Sequence, residues 1–296
     1  MKPAAFKYLA PASLEAALEA KSENGEDAKI LAGGQSLVPA MNFRVTQSKI
    51  LLDLNKIEEL GYIREQNGNL LIGAMTRQSE VESSKIVAMK SPLISETMPH
   101  IAHPQIRNRG TFGGNLAHAD PASELPVVAT ALNARYLAKS SLGERWIDAK
   151  DFFLGFFTVS LTPEEILTEI KIPDLPPNTG WSFMEITRRK GDYAMAGIAA
   201  LVTIDKTKKC KQARLVFLNV GDGPIDAEKA AEELKGQKIS DESIEAAAET
   251  ASEKEINPFG SVHATPEYQR HLTRVLTRRA IKKAFERAQS VKSKKT

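Results

Sequence analysis

The chain has 296 residues, 42% hydrophobic and 26% charged, which is enough for more than one domain with an ordinary buried core. No apolar run reaches the length of a membrane span, the first twenty residues lack the apolar centre of a secretory leader, and a formal net charge of +3 offers no field for nucleic acid; a cytoplasmic protein is expected. A single cysteine, Cys210, excludes an internal disulfide and cannot hold zinc or an iron–sulfur cluster alone, so any cluster must sit on another chain.

In chain order, Ser13 opens a short helix over "SLEAALEAK", with Leu14, Ala17 and Leu18 on one face. "AKILAGG" reads as a strand entering a turn and "KILLDLNKI" as a second strand. Asn67-Gly68 mark a tight hairpin within "LGYIREQNGNLLIGAMT". Helical patches follow at "SEVESSKIVAMK" and "SPLISETMPHIA". In "DPASELPVVATALNA", Asp120 is a capping carboxylate, Pro121 takes the first helical position, and Leu125, Val128, Ala129 and Leu132 form the apolar stripe. "ARYLAKSSLGERWIDA" is another hairpin. "TPEEILTEIKIP" carries both a helix start and the alternation of Ile166, Thr168, Ile170 and Ile172; turn, then strand, is the preferred reading.

The prolines of "PDLPPNTG", Pro173 to Gly180, suit a linker and set the expected domains: 1–176, divided near residue 56, and 177–287. "WSFMEITRR", "AGIAALVTIDK" and "ARLVFLNVG" predict a three-stranded antiparallel sheet, with helices after it, so the second domain is α+β. The last helix carries Arg270, Arg274, Arg278, Arg279, Lys282, Lys283 and Arg287 on a solvated face or a subunit contact, with Tyr268, Leu272, Val275, Leu276 and Phe285 to pack. The polar tail, 288–296, reads as disordered.

Two glycine-rich turns carry the chemistry: Ala32-Gly33-Gly34-Gln35-Ser36, and "RNRGTFGGNLAHADP" from Arg107 to Pro121. Glycine admits positive φ and close approach of a ligand, so that successive N–H groups converge on an anion; two such nests could clasp a pyrophosphate. Either turn alone is more readily a plain tight turn, and neither matches the Rossmann or Walker pattern. His100, His103 and His118 with Asp120 match no metal-ligand spacing. Cys210 lies among lysines that could lower its pKa, yet without a base or partner it is expected to be inert.

"AGGQSL", "TFGGNLAHADPASELP" and "RRKGDYA" (Arg188 to Ala194), in this order and spacing, resemble the FAD-binding medium subunits of molybdenum hydroxylases, the xanthine dehydrogenase family, most of all those of carbon monoxide dehydrogenase and bacterial N-heteroaromatic hydroxylases. The resemblance spans nearly the whole chain. It implies an α+β fold: an FAD-binding domain of the vanillyl-alcohol-oxidase type in two α/β subdomains, then the C-terminal domain of these flavoproteins. It places the FAD pyrophosphate on the main chain of Ala32, Gly33, Gly34, Gln35 and Ser36 and of Thr111, Phe112, Gly113, Gly114 and Asn115. Leu37, Ala117, Ile101 and Ala102 would line the cofactor, Asp120 would lie near the ribityl or phosphate region, Tyr193 over the flavin ring and Lys190 nearby as a cation. Phe112 stands where such motifs more often carry an aliphatic residue. Plainer roles stay open: Asp120 as a helix N-cap, Tyr193 as a half-buried strand aromatic, Lys190 as a solvated charge.

The resemblance further implies partners: a small subunit with two [2Fe-2S] clusters and a large one with the molybdenum cofactor, in a dimer of heterotrimers, passing electrons through FAD to an external acceptor. No hydroxylation is then expected on this chain. The rivals are a free-standing FAD-dependent oxidoreductase with its own substrate pocket, and a nucleotide-binding assembly factor without redox use.

Overall fold

The computed structural model describes residues 1–290. A small parallel sheet comes first, with β1 (Lys7–Leu9), β2 (Ala28–Leu31) and β3 (Ile50–Asp53) in the order β1-β3-β2. Helix α1 (Leu14–Asn24) makes the crossover that parallel strands require. Ser13 caps it, its hydroxyl accepting from the Ala16 N–H, and Ala17 is buried against the sheet. After β2 the Gly33-Gly34 turn leads into α2 (Leu37–Asn42), a helix with no clear apolar stripe in the sequence.

The hairpin of β4 (Ile63–Gln66) and β5 (Asn69–Gly73) turns where expected, Asn67 and Gly68 having φ of 51° and 71°. A run of short helices follows: α3 (Gln78–Ser83), α4 (Lys85–Lys90), α5 (Pro92–Thr97), α6 (Pro104–Arg107), α7 (Phe112–His118) and α8 (Glu124–Ala131). Helix α8 starts later than the sequence suggests. Asp120 and Pro121 lie in the preceding turn, where Asp120 Oδ1 accepts from the Ala122 N–H and the Asp120 carbonyl from the Ser123 N–H. Left-handed backbone at Ala119 (φ 50°) and the Asn219 N–H bound to the Pro121 carbonyl reverse the chain there, so Asp120 caps a turn and not the helix.

The hairpin of β6 (Arg135–Ser140) and β7 (Gly143–Asp148) leads through α9 (Ala149–Phe152) to a small ribbon, β8 (Phe153–Gly155) with β9 (Thr158–Val159). Then β10 (Ile166–Pro173) closes an antiparallel sheet of order β4-β5-β10-β6-β7. The contested segment resolves as turn, then strand. Packed on this sheet, α5, α7 and α8 bury Leu93, Ile94, Leu116, Leu125, Val127 and Val128.

Strands extend into the proline-rich run from both sides, leaving 174–178 between β10 and β11 (Thr179–Ile186). With β12 (Ala196–Ile204) and β13 (Cys210–Leu218), β11 forms the expected antiparallel core of the C-terminal sheet. The sheet has four strands, not three: β14 (Ile225–Asp226) adds a two-residue edge, too short to show alternation. Helices α10 (Glu228–Glu232), α11 (Asp241–Thr250) and α12 (Pro266–Ser290) cover one face. Residues 288–290, expected in the tail, continue α12 because Ala288 is buried against the sheet; 291–296 lie outside the described residues.

Four basic residues of α12 are paired within the chain on a face that stays partly open to solvent. Arg274 and Arg278 bind Glu245 of α11, while Lys283 and Arg287 bind Glu96 of α5. The buried stripe of α12 is small and polar, with Thr273, Thr277, Ala280 and Ala284 beside Leu272 and Leu276, and Tyr268 is exposed. Small residues let the helix sit close on the strand carrying Gly180, where a Cβ would collide with the Ala284 carbonyl. Cys210 is buried in β13, and burial pushes its thiol up to about 11, against the lowering expected from nearby lysines.

Candidate functional site

The two glycine segments meet. A Cβ on Gly33 would stand 2.5 Å from the Arg109 carbonyl oxygen, and one on Gly114 3.0 Å from the Ala32 Cβ. Neither position has positive φ; close approach of two chain segments is what requires glycine there, while Gly34 alone of the four adopts φ +73°.

Arg77 ties the two segments together. Its Nη1 donates to the Arg109 carbonyl at 2.5 Å and its Nη2 to Asn55 Oδ1 at 2.6 Å. Asn55 Nδ2 in turn donates to the Ala32 carbonyl at 2.8 Å, and Asp53 accepts from Tyr8 and Asn55. Asp53, Asn55 and Arg109 line, with Ala32, Gly33, Gly34 and Gln35, a cavity of about 350 Å³. Ser36 and Leu37 are not in that lining; Ser36 faces solvent and Leu37 opens α2.

The segments differ in what their main chain offers. Among the described residues, the N–H groups of Gly33, Gly34, Gln35 and Ser36 have no acceptor within the chain. In the second segment the N–H of Phe112 goes to Thr76, of Gly113 to Ala74, of Gly114 to the Thr111 hydroxyl and of Asn115 to the Thr111 carbonyl. The expectation of two equivalent nests is corrected accordingly. Thr111 caps α7, and the second segment is a helix start whose donors are spent in holding it against β5 and the Ala32 turn.

At the other end, the 101–103 corner packs on the loop before β12. Ala102 has φ +46°, and Arg107 holds the corner by donating to the Ile101 carbonyl at 2.8 Å while paired with Glu82. A Cβ on Gly191 would strike His103, so this glycine lets the loop bearing Lys190 and Tyr193 seat against the corner. Lys190, Ala102, His103 and Arg107 line a cavity of about 370 Å³. Ile101 is only 4% exposed, its side chain in the core, so only its main chain is presented at this corner. Ala117 is half-buried on α7, packed against the same core.

Tyr193 is 70% exposed, and the acidic groups that raise its pKa, after partial burial, are Asp120 and Glu124. Asn219 Nδ2 on the Ala194 carbonyl and Gln269 Nε2 on the Met195 carbonyl fix the far end of its loop. Asn115 Oδ1 accepts from Ser123, linking α7 to that turn. Sequence reading missed Arg77, Arg109, Asp53, Asn55, Glu124 and Glu185. Arg109 lies within the second glycine segment itself, a visible signal; the others reach the site only through the fold.

An apolar and main-chain cradle with four free donors, a cation at its rim and glycines where any side chain would collide fits a dinucleotide's phosphates. Residues 4–175 match the FAD binding domain in molybdopterin dehydrogenase, and residues 181–284 match the CO dehydrogenase flavoprotein C-terminal domain. The chain belongs to the family of FAD-binding medium subunits of molybdenum hydroxylases. It is 42% identical to the 6-hydroxypseudooxynicotine dehydrogenase complex subunit alpha of Paenarthrobacter nicotinovorans, over 99% of this chain and 98% of that one. It is 35% identical to the carbon monoxide dehydrogenase medium chain of Hydrogenophaga pseudoflava, over 97% and 99%. Among solved structures, a chain of carbon monoxide dehydrogenase from the same organism superposes with a TM-score of 0.94 at 36% identity, covering 97% of this chain and 99% of that one. A chain of quinoline 2-oxidoreductase from Pseudomonas putida 86 gives 0.92 at 36%, with the same coverage.

Proposed function

We propose that this chain is the electron-transfer subunit of a molybdenum hydroxylase complex, holding FAD between a small subunit with two [2Fe-2S] clusters and an external acceptor. The observation that carries the reading is the cradle of unpartnered N–H groups at Gly33 to Ser36, closed by Gly114 and rimmed by Arg109.

Bound FAD supplies the redox chemistry, joining one-electron to two-electron exchange. The chain's own residues bind and orient it. The N–H groups of Gly33 to Ser36 take the pyrophosphate, with Ala32 and the Thr111 to Asn115 helix start shaping the cradle. Arg109 adds positive charge, and Arg77 locks the two segments in register. Ala102, Ala117, Asp120, Lys190 and Tyr193 border the flavin, Lys190 stabilising negative charge on the reduced ring. No residue here is asked to act as nucleophile or as base on an organic substrate.

The relatives are named as medium or lettered subunits of dehydrogenases and hydroxylases. Hydroxylation accordingly belongs to a large subunit with the molybdenum cofactor, in a dimer of heterotrimers. Among the described residues no helix is long and apolar enough to cross a membrane, which fits a cytoplasmic complex. The test is co-expression with the small and large subunits. The assembled complex should reduce its flavin when given the complex's substrate, and the isolated FAD-loaded chain should not. Substrate turnover by the isolated chain would replace this reading with a free-standing oxidoreductase.

A further inference from the structure

Strands β2 and β3 run parallel and side by side, and their last residues, Leu31 and Asp53, stand opposite each other in register. The glycine turn leaves the end of β2, so Asp53 ends the strand beside it. Parallel sheets take ligands in the crevice outside the carboxyl ends of their strands, and an acidic side chain at the end of the strand next to a glycine turn is the arrangement that receives a ribose hydroxyl beside a bound pyrophosphate. Among the described residues, Asp53 and Arg109 are the only charged side chains lining the 350 Å³ cavity, and Leu31, Val38 and Pro39 give it an apolar wall.

Asp53 is half-buried and firmly held. Its Oδ2 accepts from the Tyr8 hydroxyl at 2.6 Å, and its Oδ1 from the Asn55 N–H at 2.8 Å and from Asn55 Nδ2. An ionised carboxylate has about four acceptor positions, so one is left, on Oδ2. Partial burial acts against ionisation, but the bonds from Tyr8 and Asn55 and the charge of Arg109 outweigh it and hold the carboxyl below the usual carboxylate range. Such a group takes a neutral donor and repels a second anion. Pyrophosphate oxygens accept and do not donate, so a ligand seated on the Gly33 to Ser36 N–H groups needs a different group, a hydroxyl, to satisfy Asp53.

We propose that this cavity takes the adenosine half of FAD, with the remaining acceptor position of Asp53 receiving a ribose hydroxyl, so that Asp53 selects the dinucleotide over a flavin mononucleotide. This rests on the placement of the pyrophosphate on Gly33 to Ser36 given above. Arg109 then faces the phosphates, Asp53 the hydroxyl, and the base lies against Leu31, Val38 and Pro39. FMN lacks the ribose that Asp53 needs. It ends instead in a phosphate monoester, which carries close to two negative charges at neutral pH and brings them towards the carboxylate.

The test is equilibrium binding of three probes to the flavin-free full chain, followed by flavin fluorescence: FAD, FMN, and an FAD analogue whose adenosine is 2′,3′-dideoxy. The wild type should bind FAD about tenfold more tightly than the dideoxy analogue, the loss expected for one hydrogen bond to a charged acceptor. D53N should bind these two within about threefold of each other, and its preference for FAD over FMN should fall about tenfold. A merely structural role for Asp53 would weaken FAD and the analogue alike and leave their ratio unchanged. Equal binding of FAD and the analogue by the wild type, or the wild-type ratio kept in D53N, overturns the proposal. So does an equal loss of FAD and FMN affinity in D53N, which would put the flavin half in this cavity. If D53N does not fold, D53A is read by the same ratios. A wild-type chain that takes up none of the three probes instead overturns the functional reading.

Discussion

The cradle proposed for the phosphates offers main-chain groups, all within the first 120 residues; the corner proposed for the ring is built from residues drawn from both halves of the molecule. Gly33 to Ser36 present free N–H groups over a parallel sheet, and Gly114 allows α7 to close on them. At the other end, by contrast, Ala102, His103 and Arg107 come from before residue 130, while Lys190, on the loop that carries Tyr193, comes from after the linker. The Glu96 pairs with Lys283 and Arg287 help hold the two halves in place. Affinity for the cofactor should therefore lie at the first end, and control of its potential and protons at the second.

The largest expected effect breaks the phosphate end. Gly33→Val or Gly114→Val puts a side chain where even a Cβ stands 2.5 Å from Arg109 carbonyl or Thr111 hydroxyl oxygen, and FAD affinity should fall at least about 100-fold, about 2.7 kcal/mol. Full flavin content in both variants would remove the cradle from the account.

The second prediction probes the ring end through stability. An unfolded chain ionises Glu124 from its ordinary value of 4.5, whereas the folded chain keeps it protonated to about 8, so the native state binds the extra proton between them and stability falls as pH rises through that window. Urea unfolding of Glu124→Gln should lack this part of the decline, leaving the variant relatively more stable than wild type at pH 9 than at pH 5. Parallel curves would mean that Glu124 titrates alike in both states.

Arg109→Ala should weaken FAD about tenfold at low salt, about 1.4 kcal/mol, and by less at high salt. A salt-independent loss would point to damaged packing. The smallest effect on affinity is expected at Tyr193→Ala, within about threefold, but with a changed flavin potential. An unchanged potential would take Tyr193 off the ring.

Much of the scaffold was legible from local patterns. Ser13, Asn67-Gly68 and the alternation from Ile166 to Ile172 each act over a few residues, so the cap, the hairpin and the strand came out as read. What failed was set by tertiary contacts. Asp120 and Pro121 look like a helix start, yet Asn219 from the C-terminal sheet draws their segment into a turn. The second glycine pair looked like a nest, but Ala74, Thr76 and Thr111 claim its donors. The solvated face of α12 was read correctly, but the ion pairs of Arg274, Arg278, Lys283 and Arg287 were not, because their partners, Glu245 and Glu96, lie far away in sequence.

The measurement closest to the central claim is the visible spectrum of the purified chain, followed by heat release and identification of the nucleotide set free. One FAD per chain in the wild type, lost in Gly33→Val, is the predicted result. A wild-type chain that stays colourless when incubated with FAD, alone and with its partner subunits, would contradict it.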